Sequence, residues 1–239
     1  MNNMSTLNNT LPQKCHWHSF DTTAKLEQEA TQEILQTAAQ AISLRGAFHI
    51  VLAGGTTPRH IYSSLRNANT DWTAWHIYFG DERCLPVDHV ERNSLMANQA
   101  WLDHVAIPRT QIHCIPAEKA PHIAANAYTK TLKHIELFDL VLLGLGEDGH
   151  TASLFPGQNS STSADSPTVI VVENAPKFPP QRISLSAERL SAARKVIFLV
   201  SGATKQQAVK NWREGIIIPA STIKPAHGVD VYLETALLT

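Results

Sequence analysis

The run Phe138-Asp-Leu-Val-Leu-Leu-Gly-Leu-Gly-Glu-Asp-Gly-His-Thr-Ala-Ser-Leu-Phe-Pro-Gly157 decides how this chain folds. Its apolar opening has the length of a buried strand. Gly144, Gly146 and Gly149 then let the backbone turn tightly and bring amide groups to the turn. At the exit stands His150, a side-chain type that takes up protons near neutrality, with an unperturbed pKa of about 6.5. α/β proteins build sites outside the carboxyl ends of their strands. The run therefore predicts a strand that ends in a site, with His150 as base beside a turn of Gly146, Asp148 and Gly149.

The same grammar extends in both directions. From Thr23 to Leu44 the apolar residues Leu26, Ala30, Ile34, Ala38 and Ile42 recur every four positions, which predicts an amphipathic helix closed by Arg45-Gly46. Ala47–Leu52 is strand-like and runs into Gly54-Gly-Thr-Thr-Pro58, with a helix expected over Arg59–Arg66. His76–Phe79 is a strand leading to Gly80-Asp-Glu-Arg83, with a helix over Asn93–Leu102 and a short strand over Gln111–Ile115. Further helices are expected over Ala124–Leu137 and Thr204–Arg213. Strands are expected over Leu140–Leu143, Thr168–Val172, Arg182–Leu185 and Lys195–Val200. Alternation of this kind implies an α/β fold, a largely parallel sheet flanked by helices on both faces. Residues 1–20 form a polar tail and lead-in, and residues 21–239 a single α/β catalytic domain. The Ser-, Asn- and Asp-rich stretch Pro156–Pro167 is expected to be a surface loop bordering the histidine turn.

Bulk properties exclude several function classes. A formal net charge of −1 argues against general attraction to nucleic acid or an anionic membrane. No segment approaches the ~20 apolar residues of a membrane helix. The N-terminal residues have no basic start and no apolar stretch, so no targeting signal is expected. Cys15, Cys84 and Cys114 form no C-x-x-C pair, which disfavours a zinc site or disulfide framework and suits a reducing cytoplasm. The 12 histidines fall into no ligand spacing, so no metal is expected.

Four further strand-end segments carry chemistry. Gly54 and Gly55 permit close approach of a ligand, Thr56 and Thr57 add hydroxyls, and the helix start adds amides, a combination that binds phosphate. It is neither a Walker loop nor a G-x-G-x-x-G fingerprint, so no nucleotide is implied. Asp81, Glu82 and Arg83 follow a strand directly, with Arg83 a candidate for a ligand oxygen and Asp81 or Glu82 a candidate to orient it. The proline-rich stretch before Arg182 positions Lys177 and Arg182, and Lys205 follows the strand ending at Val200. A phosphate monoester carries about −1.5 to −2 charge near neutrality and calls for several such cations.

Taken in order, Gly54-Gly-Thr-Thr-Pro58, Asp81-Glu-Arg83, Gly144 through Pro156, Pro176-Lys177 with Pro179-Pro180-x-Arg182-Ile-Ser-Leu185, and Gly202-x-x-Lys205 resemble the 6-phosphogluconolactonase family. The resemblance spans about four-fifths of the chain, and His150-Thr-Ala-Ser-Leu-Phe-Pro156 is its most specific element. It implies a Rossmann-like fold shared with glucosamine-6-phosphate deaminase and ribose-5-phosphate isomerase. It also implies hydrolysis of a small-molecule sugar-phosphate lactone in the cytoplasm by a monomer or small homo-oligomer, with no cofactor. In that reading His150, Arg83 and Asp81 are catalytic, and Gly54, Gly55, Thr56, Thr57, Lys177, Arg182 and Lys205 bind substrate. Gly146, Asp148 and Gly149 form the oxyanion turn. The chain departs from the family's usual Ser-Asn at Arg92-Asn93-Ser94, and from a Trp-Phe-Leu-Asp-like run at Val231-Tyr-Leu-Glu234. The alternatives are an amino-sugar phosphate deaminase or isomerase on the same fold, and a sugar-phosphate sensor without catalysis. Leu154-Phe155-Pro156 lacks the carboxylate that the deaminases carry in an Asn-Glu-Pro context.

Overall fold

A computed structural model describes residues 12–158 and 166–239. The polar tail expected at Met1–Thr10 and most of the loop expected at Pro156–Pro167 lie outside the described residues. Among the described residues seven strands form one fully parallel sheet: β1 (Cys15–Phe20), β2 (Phe48–Leu52), β3 (Trp75–Phe79), β5 (Ile112–His113), β6 (Phe138–Gly144), β9 (Ala193–Val200) and β10 (Val229–Glu234). Their order is β1-β10-β9-β6-β2-β3-β5. Three more strands, β4 (Asp81–Arg83), β7 (Val169–Val172) and β8 (Arg182–Leu185), form a separate antiparallel sheet in the order β4-β8-β7. Helices α1 (Thr23–Arg45), α2 (Thr56–Leu65), α3 (Asn93–Ala100), α4 (Pro121–Thr131), α5 (Ala187–Ser191) and α6 (Gln206–Arg213) flank the strands.

The helix expected from the four-residue stripe is α1. Leu26, Ala30, Ile34, Ala38 and Ala41 are all fully buried, so one face anchors the helix in the core. The Thr22 hydroxyl accepts the Lys25 amide at 3.2 Å, and Gly46, at φ 77°, closes the helix by donating to the Ile42 carbonyl at 2.8 Å. The chain lays down β2, β3 and β5 toward one edge. It then returns to the other side of β2 with β6 and proceeds to β9 and β10. The strand order thus reverses between β2 and β6, and the loops leaving their carboxyl ends splay apart there to leave a crevice.

Four expectations change. Cys15–Phe20, assigned to the lead-in, is an edge strand paired residue for residue with β10. Asp81-Glu-Arg83 is not a loop but β4, which carries the chain out of the main sheet into the second one. Helix α2 begins at Thr56 rather than Arg59, with Gly55 as its cap. Helix α4 runs earlier than Ala124–Leu137 because Pro121, whose fixed φ suits a first turn, starts it. It ends at Thr131, beyond which the Lys133 and Ile135 amides donate to carbonyls three residues back, Lys130 and Leu132, instead of four, and the carbonyls of Ile135 and Glu136 that follow accept from the Arg189 guanidinium.

Candidate active site

At the crevice lies a cleft of about 470 Å³, lined by the loops after β2, β3, β6 and β9 and by the loop that enters β8. Gly54, Gly55, Asp81, Arg83, Gly146, His150, Lys177, Arg182 and Lys205 all line it. Of the residues expected at the site, Thr56, Thr57, Asp148 and Gly149 do not.

The histidine is held by its own turn. The Asp148 carboxylate accepts from the His150 ring at Nδ1 and from the His150 amide, the latter at 3.1 Å. Burial pushes the Asp148 carboxyl up, but these hydrogen bonds and the imidazole charge outweigh it and hold the pKa below the usual value. The ring lies 4.8 Å from that of Phe155, itself buried. Gly146 must be glycine because an added Cβ would stand 1.9 Å from His150 Nδ1. Gly149, at φ 84°, packs against Ile218, whose Cβ an added methyl would meet at 2.7 Å. The expected oxyanion role of these glycines is corrected. The Gly146 amide donates to the His150 carbonyl at 2.7 Å and the Gly149 amide to the Gly146 carbonyl at 3.0 Å, so neither donor is free. Asp148 is an orienting group for the imidazole rather than part of an oxyanion turn.

Beneath the histidine is a buried polar floor. One oxygen of Asp81 accepts from Asn93 Nδ2 at 3.0 Å and the other from the Ser153 hydroxyl. Asp81 forms no ion pair with Arg83 among the described residues, so the expectation that it orients that guanidinium is corrected. Asn93 also donates to the Asp81 carbonyl at 3.0 Å. Gly54 makes room for it, since a Cβ there would lie 2.1 Å from Asn93 Oδ1. Glu82 is fully buried and accepts the amides of Arg83, Asn93 and Ser94 at 2.8–2.9 Å, placing a negative charge at the start of α3. Arg92 is buried beside it. Its Nε is 3.5 Å from Glu82, and its other nitrogens donate to Glu118 at 3.0 Å and to the Ile115 carbonyl at 2.9 Å. Arg92 therefore belongs to the scaffold of α3, and Asn93 is the residue of that pair that faces the cleft.

The cations sit around this floor. Arg83 donates through Nη1 to the Glu91 carbonyl. Arg182 is buried, which lowers its pKa even though Asp81 nearby raises it. It donates to the carbonyls of Pro179 at 3.2 Å and Lys177 at 3.1 Å, so it fixes the loop that carries Lys177. Thr56 is exposed and borders a neighbouring groove with Arg59 and Met96. The Thr57 hydroxyl is bonded to that of Ser201 at 2.7 Å. Of the segment expected from Gly54 to Thr57, Gly54 and Gly55 line the cleft itself, and Thr56 lines the adjoining groove, which shares Gly55, Arg83, Glu91 and Asn93 with the cleft. Asn93, Ser153, Glu91 and Phe155 lie outside the set read from sequence. The signals for Asn93 were its place at the start of the helix after Asp81-Glu-Arg83 and the family's usual Ser-Asn in that segment, and Ser153 had none beyond its place in the histidine motif. Among the described residues no group of three or more His, Cys, Asp or Glu side chains is placed to hold a metal ion.

Fold and cleft together define a doubly wound α/β enzyme with a histidine–carboxylate pair and four cations at its switch point. Residues 21–232 match the family described as glucosamine-6-phosphate isomerases/6-phosphogluconolactonase. The chain belongs to this family. It is similar to the 6-phosphogluconolactonase of Synechocystis sp., at 42% identity over 71% of this chain and 73% of that protein. It also resembles that of Haemophilus influenzae, at 32% identity over 87% of this chain and 94% of the other. Among solved structures, 6-phosphogluconolactonase from Trypanosoma cruzi superposes with a TM-score of 0.83 at 26% identity, covering 96% of this chain and 97% of that one.

Proposed function

We propose that this chain hydrolyses 6-phospho-D-glucono-1,5-lactone to 6-phospho-D-gluconate, the lactone-opening step of the oxidative pentose phosphate pathway. The observation that carries the reading is the His150–Asp148 pair at the wall of a cleft that also holds Arg83, Lys177, Arg182 and Lys205.

The reaction is acyl transfer to water, and its barrier is charge growing on the carbonyl oxygen as water attacks. With its Nδ1–H donated to Asp148, the neutral imidazole carries its lone pair on Nε2. That nitrogen takes a proton from water as the water oxygen bonds to C1. Asp148 holds the ring in this tautomer and faces the imidazolium that forms. Arg83 is the donor nearest in kind to the oxyanion's need, since the amides of Gly146, Gly149 and His150 are engaged within the turn. The tetrahedral centre collapses by breaking the bond from C1 to the ring oxygen, which recovers a proton from His150. The new carboxyl group then ionises. Arg182, Lys205 and Lys177, with the backbone at Gly54 and Gly55, hold the phosphate and so fix the ring against His150. Asp81, locked by Asn93 and Ser153, gives the floor a fixed negative charge that orients the attacking water and faces Arg182.

A deaminase on this fold is the second reading. A monomeric glucosamine-6-phosphate deaminase superposes with a TM-score of 0.78 at 20% identity, a likeness of fold alone. Against it, the two residues after Ser153 are Leu154 and Phe155, both apolar and buried, where that chemistry would want a carboxylate. Freshly generated 6-phosphogluconolactone should be consumed well above its spontaneous opening, with no ammonia released from glucosamine 6-phosphate. Ammonia release without lactone turnover would replace this reading by the second.

A further inference from the structure

Lys205 stands on a short turn whose geometry is set by residues that never reach the cleft. Strands β9 and β10 are parallel neighbours with Val200 opposite Leu233, so Glu234 emerges at the same sheet edge as Ser201 and Gly202. The chain leaves β9 through Gly202 at φ 91°, a left-handed conformation that turns it into the 3-10 turn Ala203–Lys205. The Gly202 amide donates to Glu234 Oε2 at 2.7 Å, a hydrogen bond strengthened by the acceptor's charge. The other oxygen of Glu234 accepts from the Thr23 hydroxyl at the start of α1, so the carboxylate is anchored from behind. One residue earlier, Ser201 is tied to Thr57 of α2 at 2.7 Å, joining this turn to the loop that carries Gly54 and Gly55. The Lys205 amide closes the turn onto the Gly202 carbonyl at 3.0 Å.

We infer that Glu234 and Thr57 are positioning residues for Lys205, setting the preference for a phosphorylated over an unphosphorylated lactone without touching either. The inference rests on the reading of Lys205 as a phosphate ligand. It gives functions to two residues that the sequence placed elsewhere, Thr57 as a direct phosphate contact and Glu234 in a packing segment.

The test compares kcat and KM for 6-phosphogluconolactone and for glucono-1,5-lactone in the wild type and in Lys205→Ala, Glu234→Ala, Glu234→Gln and Thr57→Val. Loss of one charge-assisted hydrogen bond that orients a ligand group is expected to raise KM for the phosphorylated lactone about tenfold in Glu234→Ala, with kcat within about twofold. KM for glucono-1,5-lactone should stay within about twofold. Glu234→Gln retains an oxygen that can accept the Gly202 amide, and should recover most of the loss. Thr57→Val should raise the same KM by about threefold, since a neutral bond is lost. If Lys205→Ala raises that KM and Glu234→Ala does not, positioning by Glu234 is refuted while the phosphate role of Lys205 stands. Equal losses on both lactones in Glu234→Ala would reduce its role to stability and overturn the inference. If Lys205→Ala itself leaves KM for the phosphorylated lactone unchanged, the phosphate reading of Lys205 fails, and the inference with it.

Discussion

Two histidine environments in this molecule invite comparison. His150 stands alone at the cleft, with one carboxylate on its Nδ1 and a phenyl ring against its face. His49 of β2, His76 of β3 and His113 of β5 instead form a stack across three neighbouring strands. Their ring centroids are 4.7 Å and 5.9 Å apart, with Tyr78 4.5 Å from His113. In the stack, burial pushes every pKa down, and the neighbouring imidazoles push those of His49 and His113 down further. His113 falls to about 4, and its Nε2 is buried with no hydrogen-bond partner among the described residues. Among the described residues Asp139 is the carboxylate that acts on the stack, raising His49 against Arg45, and it is already bonded to Arg45 at 2.7 Å and to the His49 amide at 2.8 Å. The lesson is that an imidazole becomes a base through its surroundings. It needs a carboxylate to fix the tautomer and receive the imidazolium, and it needs access to the reacting water. The three stacked histidines are half buried like His150, but among the described residues none has a carboxylate on its ring nitrogens and none lines the cleft, so they serve as flat polar plates between strands.

The comparison can be broken first at Asp148. Asp148→Asn keeps the shape of the turn but removes the charge that faces the imidazolium. It should lower kcat by about 10- to 100-fold, less than for a fully buried triad acid because Asp148 is half exposed. Its melting temperature should barely move. Wild-type kcat in this variant would put His150 in the same class as the stack.

A smaller effect sharpens the other side. His113 is harder to protonate folded than unfolded, so the unfolded chain binds more protons in the interval between its folded and unfolded pKa values. Stability should therefore be complete above pH 6.5 and be lost as pH falls from 6.5 toward about 4. Because the rings are only half buried, the loss should be about 1–2 kcal/mol, below what the full shift would give. Denaturant melts of His113→Leu across that range should show a shallower acid limb than the wild type, with kcat at pH 7 unchanged. An unchanged limb would show that the stack does not titrate on unfolding.

Much of this was legible before the fold was seen, and for physical reasons. Glycines at Gly54, Gly146 and Gly149 mark places where neighbours approach too closely for a Cβ, and such constraints are written one residue at a time. The α1 stripe is similarly local. What escaped was set by partners distant in sequence. Strand β1 is half exposed and polar at alternate positions, and only β10, more than 200 residues on, makes it a strand. The strand character of Asp81-Glu-Arg83 comes from Arg182, Ile183 and Ser184 across a ladder. The Ser153 hydroxyl matters because Asp81, 72 residues earlier, lies within its reach. Thr57 was misplaced for the same reason, since its partner Ser201 is 144 residues away. Whether a turn amide is free also depends on closure of the turn, and Gly146 lost its expected donor role to the His150 carbonyl.

The central claim is that His150 takes the proton from the attacking water. The direct measurement is His150→Ala, with steady-state lactone turnover set beside the dissociation constant of 6-phosphogluconate measured by calorimetry. The account predicts a fall in kcat of about 10²- to 10⁴-fold with product affinity within about threefold of wild type. Product affinity lost in proportion to turnover, or turnover left intact, would contradict it.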